Sequence, residues 1–427
     1  MNMKKISKLG VCLIGALAIS SFAQDYAGQD LNTSFRDKRI DGFNFSDAKA
    51  KKGVTDFQRS AGEQPNFKGA QLPEVSFRNA VINEANFKDA NLKKVTISGA
   101  DIRNSNFKGA DMEEADLYRA TLLGSQFPNV NFKNARLDAM KVADQTDFSK
   151  TDFTACNLIA ANFKGVDLIN VNFSKAGLSQ ANFSGVEFQN VNLQEADLSL
   201  TEFDDVDLSK TQLQKAKFAQ STLSSMNFKG QDLTGVVFDK GAVKKSNFDK
   251  AKMNKTSFFD TEVSKCEFRG TELTKAVFDG AYVKKNIFDG ADMDKANLAN
   301  STIEQTDFIG AQLNGASFAG AKLVNVRFTN AKMKNVKIDA DTKMQNVDFS
   351  GADLSDAKIE KFTAKKVIYD SRTKFPSGFE PRQYGFTKPG EKAAEVVVQG
   401  NKKSSVADDA MPKKKKRKKR RSDDDDE

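Results

Sequence analysis

Residues on which many catalytic and metal sites depend are missing or scarce in this sequence. It contains no histidine, no tryptophan and only 3 cysteines among its 427 residues. Without histidine, a Ser-His-Asp triad, a Cys-His pair and any histidine-ligated metal site are excluded. A Walker-type glycine-rich phosphate loop is also absent. We therefore expect no enzymatic activity, with no catalytic residues, no cofactor and no metal site.

Long hydrophobic runs are scarce as well, apart from one near the N-terminus. Residues 1–23 contain three lysines, then an apolar stretch from Leu9 to Ile19, then the small-x-small sequence Ser21-Phe22-Ala23. These three parts are typical of a secretory signal peptide, and the stretch is shorter than the ~18 residues of a transmembrane helix. We predict cleavage after Ala23, a periplasmic or extracellular location, and no transmembrane segment in the mature chain.

The dominant positive feature is an apolar residue at every fifth position. From Phe148 to Ile338 all 39 such positions hold Phe, Leu, Met, Val or Ile. On an α-helix, steps of five would rotate the apolar position by roughly 140°, and on a strand each step would change the face. Each pentad must therefore be a unit that turns a corner.

The neighbours of each apolar centre are regular too. Two residues before the centre the chain has a small residue, one before it usually Asp or Asn, and two after it often Gly or Asn, as in Ala161-Asn162-Phe163-Lys164-Gly165. Gly and Asn accept the positive φ that a type II turn needs at its third residue. Phe recurs every ten residues from Phe218 to Phe288. An even number of sides would stack Phe on Phe, so we predict four sides and twenty residues per coil.

These motifs resemble the pentapeptide-repeat family, whose pattern is Ala-Asp/Asn-Leu/Phe-x-x, over residues 67–362. The resemblance implies an all-β fold, a right-handed quadrilateral parallel β-helix with a solid Phe/Leu interior. About fifteen coils at the ~4.8 Å strand spacing would form a rod of roughly 70 Å. Cys156 and Cys266 fall at the small inward position, more than five coils apart, so we expect two core thiols and no disulfide.

Several positions depart from the pattern. One residue is inserted between Leu137 and Phe148 and another between Ile338 and Phe349, and we expect each to bulge outward and bend the rod. Larger residues occupy the small position at three places, which we interpret as local swellings: Met226, Gln231 and Asn286.

The remaining segments flank the repeats. We expect residues 24–66 to form an N-terminal segment with ragged first coils, and 363–386 to cap the C-terminal end of the solenoid. Residues 387–427 are polar and rich in lysine, which predicts a disordered tail. The tail ends in an acidic block, 423–427, preceded by nine cations: Lys413, Lys414, Lys415, Lys416, Arg417, Lys418, Lys419, Arg420 and Arg421.

Charge is distributed unevenly along the chain. Residues 67–362 carry about −1, residues 1–66 carry +3 and residues 363–427 carry +7, which together give the net +9. Nucleic acid could therefore bind only through the basic tail. Within the repeats, lysine recurs every ten residues at one corner position, which on a four-sided coil predicts two opposite columns of three: Lys245, Lys265 and Lys285, and Lys255, Lys275 and Lys295.

The lysine columns and the tail cations are the candidate anion-binding residues. The alternatives are a solvated surface of mixed charge for the columns and a solubilising block of charge for the tail. We expect Asp249, Asp279 and Asp289 to compensate the stacked lysines. An acidic band also occurs at Glu195, Asp197, Glu202, Asp204, Asp205 and Asp207.

Three functions are consistent with these features. The first is a non-enzymatic exported scaffold or spacer at the bacterial envelope, with an unknown protein partner or an anionic envelope polymer. The second is a secreted effector carried to a host nucleus by its basic tail. The third is a cytoplasmic DNA mimic that binds gyrase, as the family resemblance allows, although that role would favour a broadly acidic rod.

Overall fold

The computed structural model describes residues 23–142, 146–203, 206–360 and 362–391. The chain forms a parallel β-solenoid of about 18 turns, so the predicted fold class is confirmed. The strands are short and lie at the sides of the coils: β1 (Asp30–Leu31), β2 (Lys49–Ala50), β3 (Ala61–Glu63), β4 (Val81–Asn83), β5 (Asp101–Arg103), β6 (Leu168–Ile169), β7 (Phe188–Gln189), β8 (Thr222–Ser224), β9 (Ala242–Lys244), β10 (Glu262–Ser264), β11 (Tyr282–Lys284), β12 (Thr302–Glu304), β13 (Lys322–Arg327), β14 (Lys337–Ile338), β15 (Lys343–Asp348), β16 (Lys358–Ile359), β17 (Thr363–Ile368) and β18 (Phe386–Thr387).

Strand pairing shows that one coil contains four pentads. Val263 pairs with Val243 on one side and with Val283 on the other, a spacing of 20 residues in each direction. We label the four faces of the rod by their apolar centres in one coil, with face A at Phe248, face B at Met253, face C at Phe258 and face D at Val263. The largest sheet is on face D and has nine strands in the order β18-β17-β15-β13-β12-β11-β10-β9-β8.

The backbone geometry explains the sequence pattern around each centre. The residue two after the centre adopts positive φ, as at Lys265 (58°) and Gly270 (60°), and so forms the corner. The Asp or Asn one before the centre accepts a hydrogen bond from the backbone N–H two residues later, as in Asn247 Oδ1 with the N–H of Asp249 (2.8 Å). Such Asx turns stabilise the corner locally, which is why Asp and Asn dominate that position.

Phenylalanine fills the interior in continuous stacks. Phe248 and Phe268 on face A stack with ring centroids 4.8 Å apart and planes 2° apart. Phe258 and Phe278 form the equivalent stack on face C at 4.7 Å. Rings from the two opposite faces meet edge to face, as Phe258 and Phe268 do at 6.2 Å and 89°. The prediction of like residues stacked on two opposite faces is therefore confirmed.

Both described cysteines are core residues. Cys156 and Cys266 are buried and unbonded to each other. Burial raises the pKa of each thiol to about 12, so neither carries an accessible thiolate at neutral pH.

The second insertion is absorbed at a corner. The parallel ladder continues across it with a spacing of 21 residues, as in Lys322 with Lys343. Asp339 Oδ1 accepts the N–H of Gly320 (2.8 Å), and the hydroxyl of Thr342 donates to the carbonyl oxygen of Phe318 (3.0 Å). Bending of the rod at this point stays a prediction, and the first insertion includes residues 143–145, which lie outside the described residues.

The same pair of Asp and Thr hydrogen bonds recurs at the C-terminal end. Asp370 Oδ1 accepts the N–H of Gly351 (2.8 Å), and the hydroxyl of Thr373 donates to the carbonyl oxygen of Phe349 (3.0 Å). A 3-10 turn, Pro381–Tyr384, and strand β18 follow. Aromatic side chains from this segment pack over the last coil, with Phe386 on Phe349 at 5.9 Å. The last core ring is therefore covered.

One interface between coils lacks most of its backbone pairing. This interface joins the coil of residues 202–217 to the coil of residues 222–237. Among the described residues, faces D, A and B show no backbone pairing between 202–212 and 222–232. Pairing persists on face C, as between Lys217 and Val237. The following interface, between 222–237 and 242–257, is paired on all four faces. We call the interface between 202–217 and 222–237 the seam.

Two of the three predicted swellings occur at the seam. The Gln231 side chain crosses it and donates to the carbonyl oxygens of Leu208 (2.9 Å) and Ser209 (2.6 Å), and Met226 lies beside an open cleft of about 410 Å³. The interpretation of Asn286 as a swelling is wrong. Its side-chain amide accepts the N–H of Cys266 (2.8 Å) and donates to Val263 (2.9 Å) inside a regular ladder.

Candidate anion-binding face

The structure places the six predicted lysines in two columns at opposite corners of the rod. Lys245, Lys265 and Lys285 lie at the corner between faces D and A, and we call them the D-corner column. Lys255, Lys275 and Lys295 lie at the corner between faces B and C, and we call them the B-corner column. All six have positive φ and exposed side chains. None has a carboxylate within ion-pair distance in the described part of the chain.

The expected compensation by aspartate is wrong. Asp249 accepts the backbone N–H of Arg269 (2.7 Å) and forms an ion pair with its guanidinium. Asp289 accepts the N–H of Ile309 (3.2 Å), and Asp279 accepts the side-chain amide of Asn300 (2.9 Å). These carboxylates bind groups of the next coil, because a residue one after the centre points along the rod toward the following turn.

The outer surface of face D is far more cationic than the sequence pattern indicated. Lys322 and Lys343 occupy neighbouring strands in direct register, both exposed. Lys365 and Lys366 follow on β17. With Lys244, Lys284 and the D-corner column, the outward positions of face D and its corner from Ala242 to Lys366 hold nine lysines against two glutamates. We call this surface the cationic face.

The two glutamates of the cationic face are already paired. Glu262 binds Lys244 at 2.8 Å, and Glu304 binds Lys284 at 3.3 Å. Tyr282 lies between them, and its hydroxyl accepts from Lys284 (3.0 Å) and donates to Glu304 (3.0 Å). The hydrogen bond with Tyr282, together with Glu304, raises the pKa of Lys284. Seven lysines therefore remain available to an external anion.

A groove of about 610 Å³ continues the D-corner column toward the C-terminus. Its floor follows the corner where β13 and β15 run on as six-residue strands. Neutral amides replace lysine at the corner, and the side-chain amide of Asn346 donates to Asn325 Oδ1 (2.8 Å). Arg327, bound by Asp307, also lines the groove. The groove thus offers amide and carboxylate groups, which are hydrogen-bond partners for hydroxyl groups.

Among the described members of the acidic band, only Glu195 forms an ion pair with a cation. Glu195 pairs with Lys215 at 3.2 Å. Asp197 accepts the hydroxyl of Ser199 (2.6 Å), and Asp207 accepts that of Ser209 (2.9 Å). Asp204 and Asp205 lie outside the described residues.

Other predictions fall partly or wholly outside the described residues. The signal sequence, except Ala23, and the nine tail cations from Lys413 to Arg421 lie there. Within the described ranges, no cluster of three potential metal ligands occurs, and no helix has the length and hydrophobicity to span a membrane.

Comparison with known families gives consistent matches along the repeats. The model described as "Pentapeptide repeat region" matches residues 128–213 and 261–338, and "Pentapeptide repeats (8 copies)" matches 66–99 and 97–134. Together these matches span more than half of the chain. No curated protein sequence matches it significantly.

Solved structures of repeat proteins also match. HetL, a pentapeptide repeat protein involved in heterocyst differentiation regulation from the cyanobacterium Nostoc sp. strain PCC 7120, is 19% identical, with 66% of this chain and 89% of HetL covered and a TM-score of 0.22. A structure of QnrB1, a plasmid-mediated fluoroquinolone resistance protein, is 18% identical, with coverages of 46% and 90% and a TM-score of 0.24. A pentapeptide repeat protein of the Arabidopsis thaliana thylakoid lumen is 20% identical, with coverages of 39% and 72% and a TM-score of 0.11.

Proposed function

Because this chain belongs to the pentapeptide-repeat family, we propose that it is a non-enzymatic, exported rod that acts as an interaction scaffold or spacer at the bacterial envelope. The family membership concerns the fold, and functions on a fold depend on the particular site that it carries. The proposal therefore rests on what the interior and the surface of this rod can do.

The filled interior is the observation that carries the proposal. Stacked rings such as Phe248 and Phe268 occupy the centre of each coil, and the core side chains are fully buried. Catalysis by tuned carboxylates needs a pocket in which they are partly desolvated. The groove beside Arg327 lies on the outside of the rod. What the rod offers to a partner is its long faces.

The N-terminal geometry is compatible with signal removal after Ala23. Gln24 would then be the first residue, and its carbonyl oxygen accepts the N–H of Asn44 (2.9 Å). Tyr26 stacks on Phe45 at 5.3 Å and covers the first ring of the column that continues with Phe67. Cleavage at that bond would therefore leave the first coil with its packing and pairing.

Cell fractionation combined with mass spectrometry of the native protein tests the proposal. We expect a chain that begins at Gln24, recovered from the periplasm or the cell surface. An intact N-terminus on cytoplasmic protein would contradict the export and favour the gyrase-binding alternative. Recovery from the nucleus of a host cell would favour the effector alternative, in which the basic tail directs the transport.

A further inference from the structure

We propose that the cationic face and the groove that continues it form a binding site for a linear anionic polysaccharide aligned with the rod axis. An exported rod would meet such polymers at the envelope, so the identity of this partner rests on the proposed function. The site itself is defined by two features of the described residues, namely an unpaired charge ladder and a polar groove that continues it.

The charge ladder is uncompensated within the protein. The D-corner column places one ammonium group on each of three successive coils, about 4.8 Å apart along the axis. Beyond the strand Thr302–Glu304, which holds no lysine, Lys322 and Lys343 place further positive charge on the neighbouring strands β13 and β15. Like charges in neighbouring strands destabilise a sheet. A polyanion on this face would remove that repulsion. The gain in binding free energy is largest for a ligand long enough to contact all of these lysines.

The shape of the surface favours a chain-like ligand over a membrane. The ladder leads into the groove beside Asn325, Asn346 and Arg327, and a planar bilayer surface cannot enter a groove. The large hydrophobic side chains that are exposed in the described ranges lie elsewhere, as Phe259 does on face C. Insertion into lipid therefore has no anchor on this face.

The chemistry of the groove favours a hydroxylated polymer over nucleic acid. Asp307 and Asp348 line the groove beside Asn325 and Asn346. These acceptor groups find hydroxyl donors on a polysaccharide but none on the phosphodiester groups of nucleic acid. Side-chain amides and carboxylates form hydrogen bonds with sugar hydroxyl groups. The D-corner column runs parallel to the rod axis and fits a linear polymer along its length, whereas the phosphates of a duplex wind away from it.

The chain contains a matched control for this proposal. The D-corner and B-corner columns each hold three unpaired, exposed lysines at positive φ on three successive coils. Glutamine is tolerated at such corners, as at Gln220 and Gln305. Replacing Lys245, Lys265 and Lys285 by Gln therefore removes the same charge, at the same kind of backbone position, as replacing Lys255, Lys275 and Lys295 by Gln.

Binding of both full-length triple variants to polygalacturonate, with dextran as the neutral polymer, tests the proposal. The tail cations would bind the polymer in every variant. Each triple variant is therefore also made in a full-length chain in which residues 413–421 are all replaced by Gln. We expect the D-corner triple to weaken polygalacturonate binding about tenfold and to lower the salt dependence of log Kd by about two. The B-corner triple should change the affinity less than about twofold.

A second variant tests the groove without removing a lysine. Asn325→Asp keeps the acceptor for the Asn346 amide and adds one negative charge, and Asp is tolerated at positive φ, as at Asp260. It should weaken polygalacturonate binding several-fold. Thermal unfolding of every variant checks that the fold is retained.

Three results would overturn the proposal. The first is an equal loss of affinity in the two triples, the second is no loss in either, and the third is tighter, column-dependent binding of short duplex DNA or of phosphatidylglycerol vesicles. These assays use purified protein, so their outcome does not depend on where the protein resides. Failure of the polysaccharide site and failure of the export proposal are therefore distinguishable.

Discussion

Lysine at the corner positions combines an exposed charge with an unusual backbone conformation. Lys265 has φ of 58°, and the same left-handed region is occupied two residues after nearly every centre. For L-residues other than glycine this conformation costs about 1–2 kcal/mol. None of the described non-glycine residues with positive φ is β-branched or aromatic. The corner therefore selects residues by backbone tolerance first and by charge second.

Two substitutions at Lys265 separate these effects. Lys265→Ala and Lys265→Val both remove the ammonium group, but the second places a β-branched residue at positive φ. We expect Val to lower the free energy of unfolding by about 1–2 kcal/mol more than Ala does. Urea unfolding measures the difference. Equal stabilities of the Val and Ala variants would mean that the corner conformation relaxes. As a control, Lys265→Gly should be at least as stable as Lys265→Ala, because glycine adopts positive φ freely.

Asp370 makes the C-terminal cap sensitive to acid. Partial burial opposes its ionisation, but the Arg372 guanidinium and the backbone N–H groups of Gly351 and Arg372 outweigh that effect and lower the pKa of Asp370 to about 2. An unfolded Asp has a pKa of about 3.9. The stabilisation is therefore complete above about pH 4 and is lost as the pH falls toward 2.

Tyrosine fluorescence from pH 7 to pH 2, in a variant whose tyrosines outside the cap (Tyr26, Tyr118 and Tyr282) are replaced by Phe, measures this effect. Tyr369 and Tyr384 pack in the aromatic cluster of the cap. Because other carboxylates titrate in the same range, the informative quantity is the difference from Asp370→Asn. That variant should be less stable at pH 7, and the difference should shrink below pH 4. A difference that stays constant with pH would contradict the assignment.

At the scale of the coil, stacked rings contribute most to the stability of one turn on the next. Phe268 lies between Phe248 and Phe288, with centroid separations of 4.8 and 4.5 Å. Phe268→Ala should lower the free energy of unfolding by about 3–5 kcal/mol, because it leaves a cavity in a packed column. Phe259→Ala is the control, since Phe259 is 40% exposed, and it should cost under about 1 kcal/mol. Similar losses in denaturant unfolding would contradict the placement of Phe268 in the core.

Over the whole molecule, the sequence was sufficient for the fold because the repeat is local. A period of five, together with Phe at every tenth residue from Phe218 to Phe288, predicts a coil with an even number of sides. Four sides is the most economical even number, and it gives the observed pairing at 20 residues. The two lysine columns follow from the same arithmetic. The cationic face does not, because Lys322 and Lys343 precede their centres while the column lysines follow theirs. A third position, one residue after the centre, is occupied by Lys244, Lys284 and Lys365. These three positions of the pentad meet on one face only in the folded coil.

Electrostatics was the less predictable part for a related reason. The sequence places Asp249 four residues from Lys245, which suggested compensation, but the folded chain directs that carboxylate to the backbone of the next coil. Near neutrality of the repeats as a whole also concealed the asymmetry between faces. Export and the role of the basic tail lie outside the described residues and stay predictions.

The seam has a consequence for cooperativity. In a solenoid, stability is approximately a sum of terms for single repeats and for their nearest-neighbour interfaces, so the weakest interface divides the array. At the seam the coupling rests on face C, on contacts such as Gln231 with Leu208, and on the chain itself. Native-state hydrogen exchange should then resolve two cooperative units, one on either side of 213–222, with different free energies of opening. A rod divided in this way can lose one half to denaturant while the other, which carries the cationic face, stays folded.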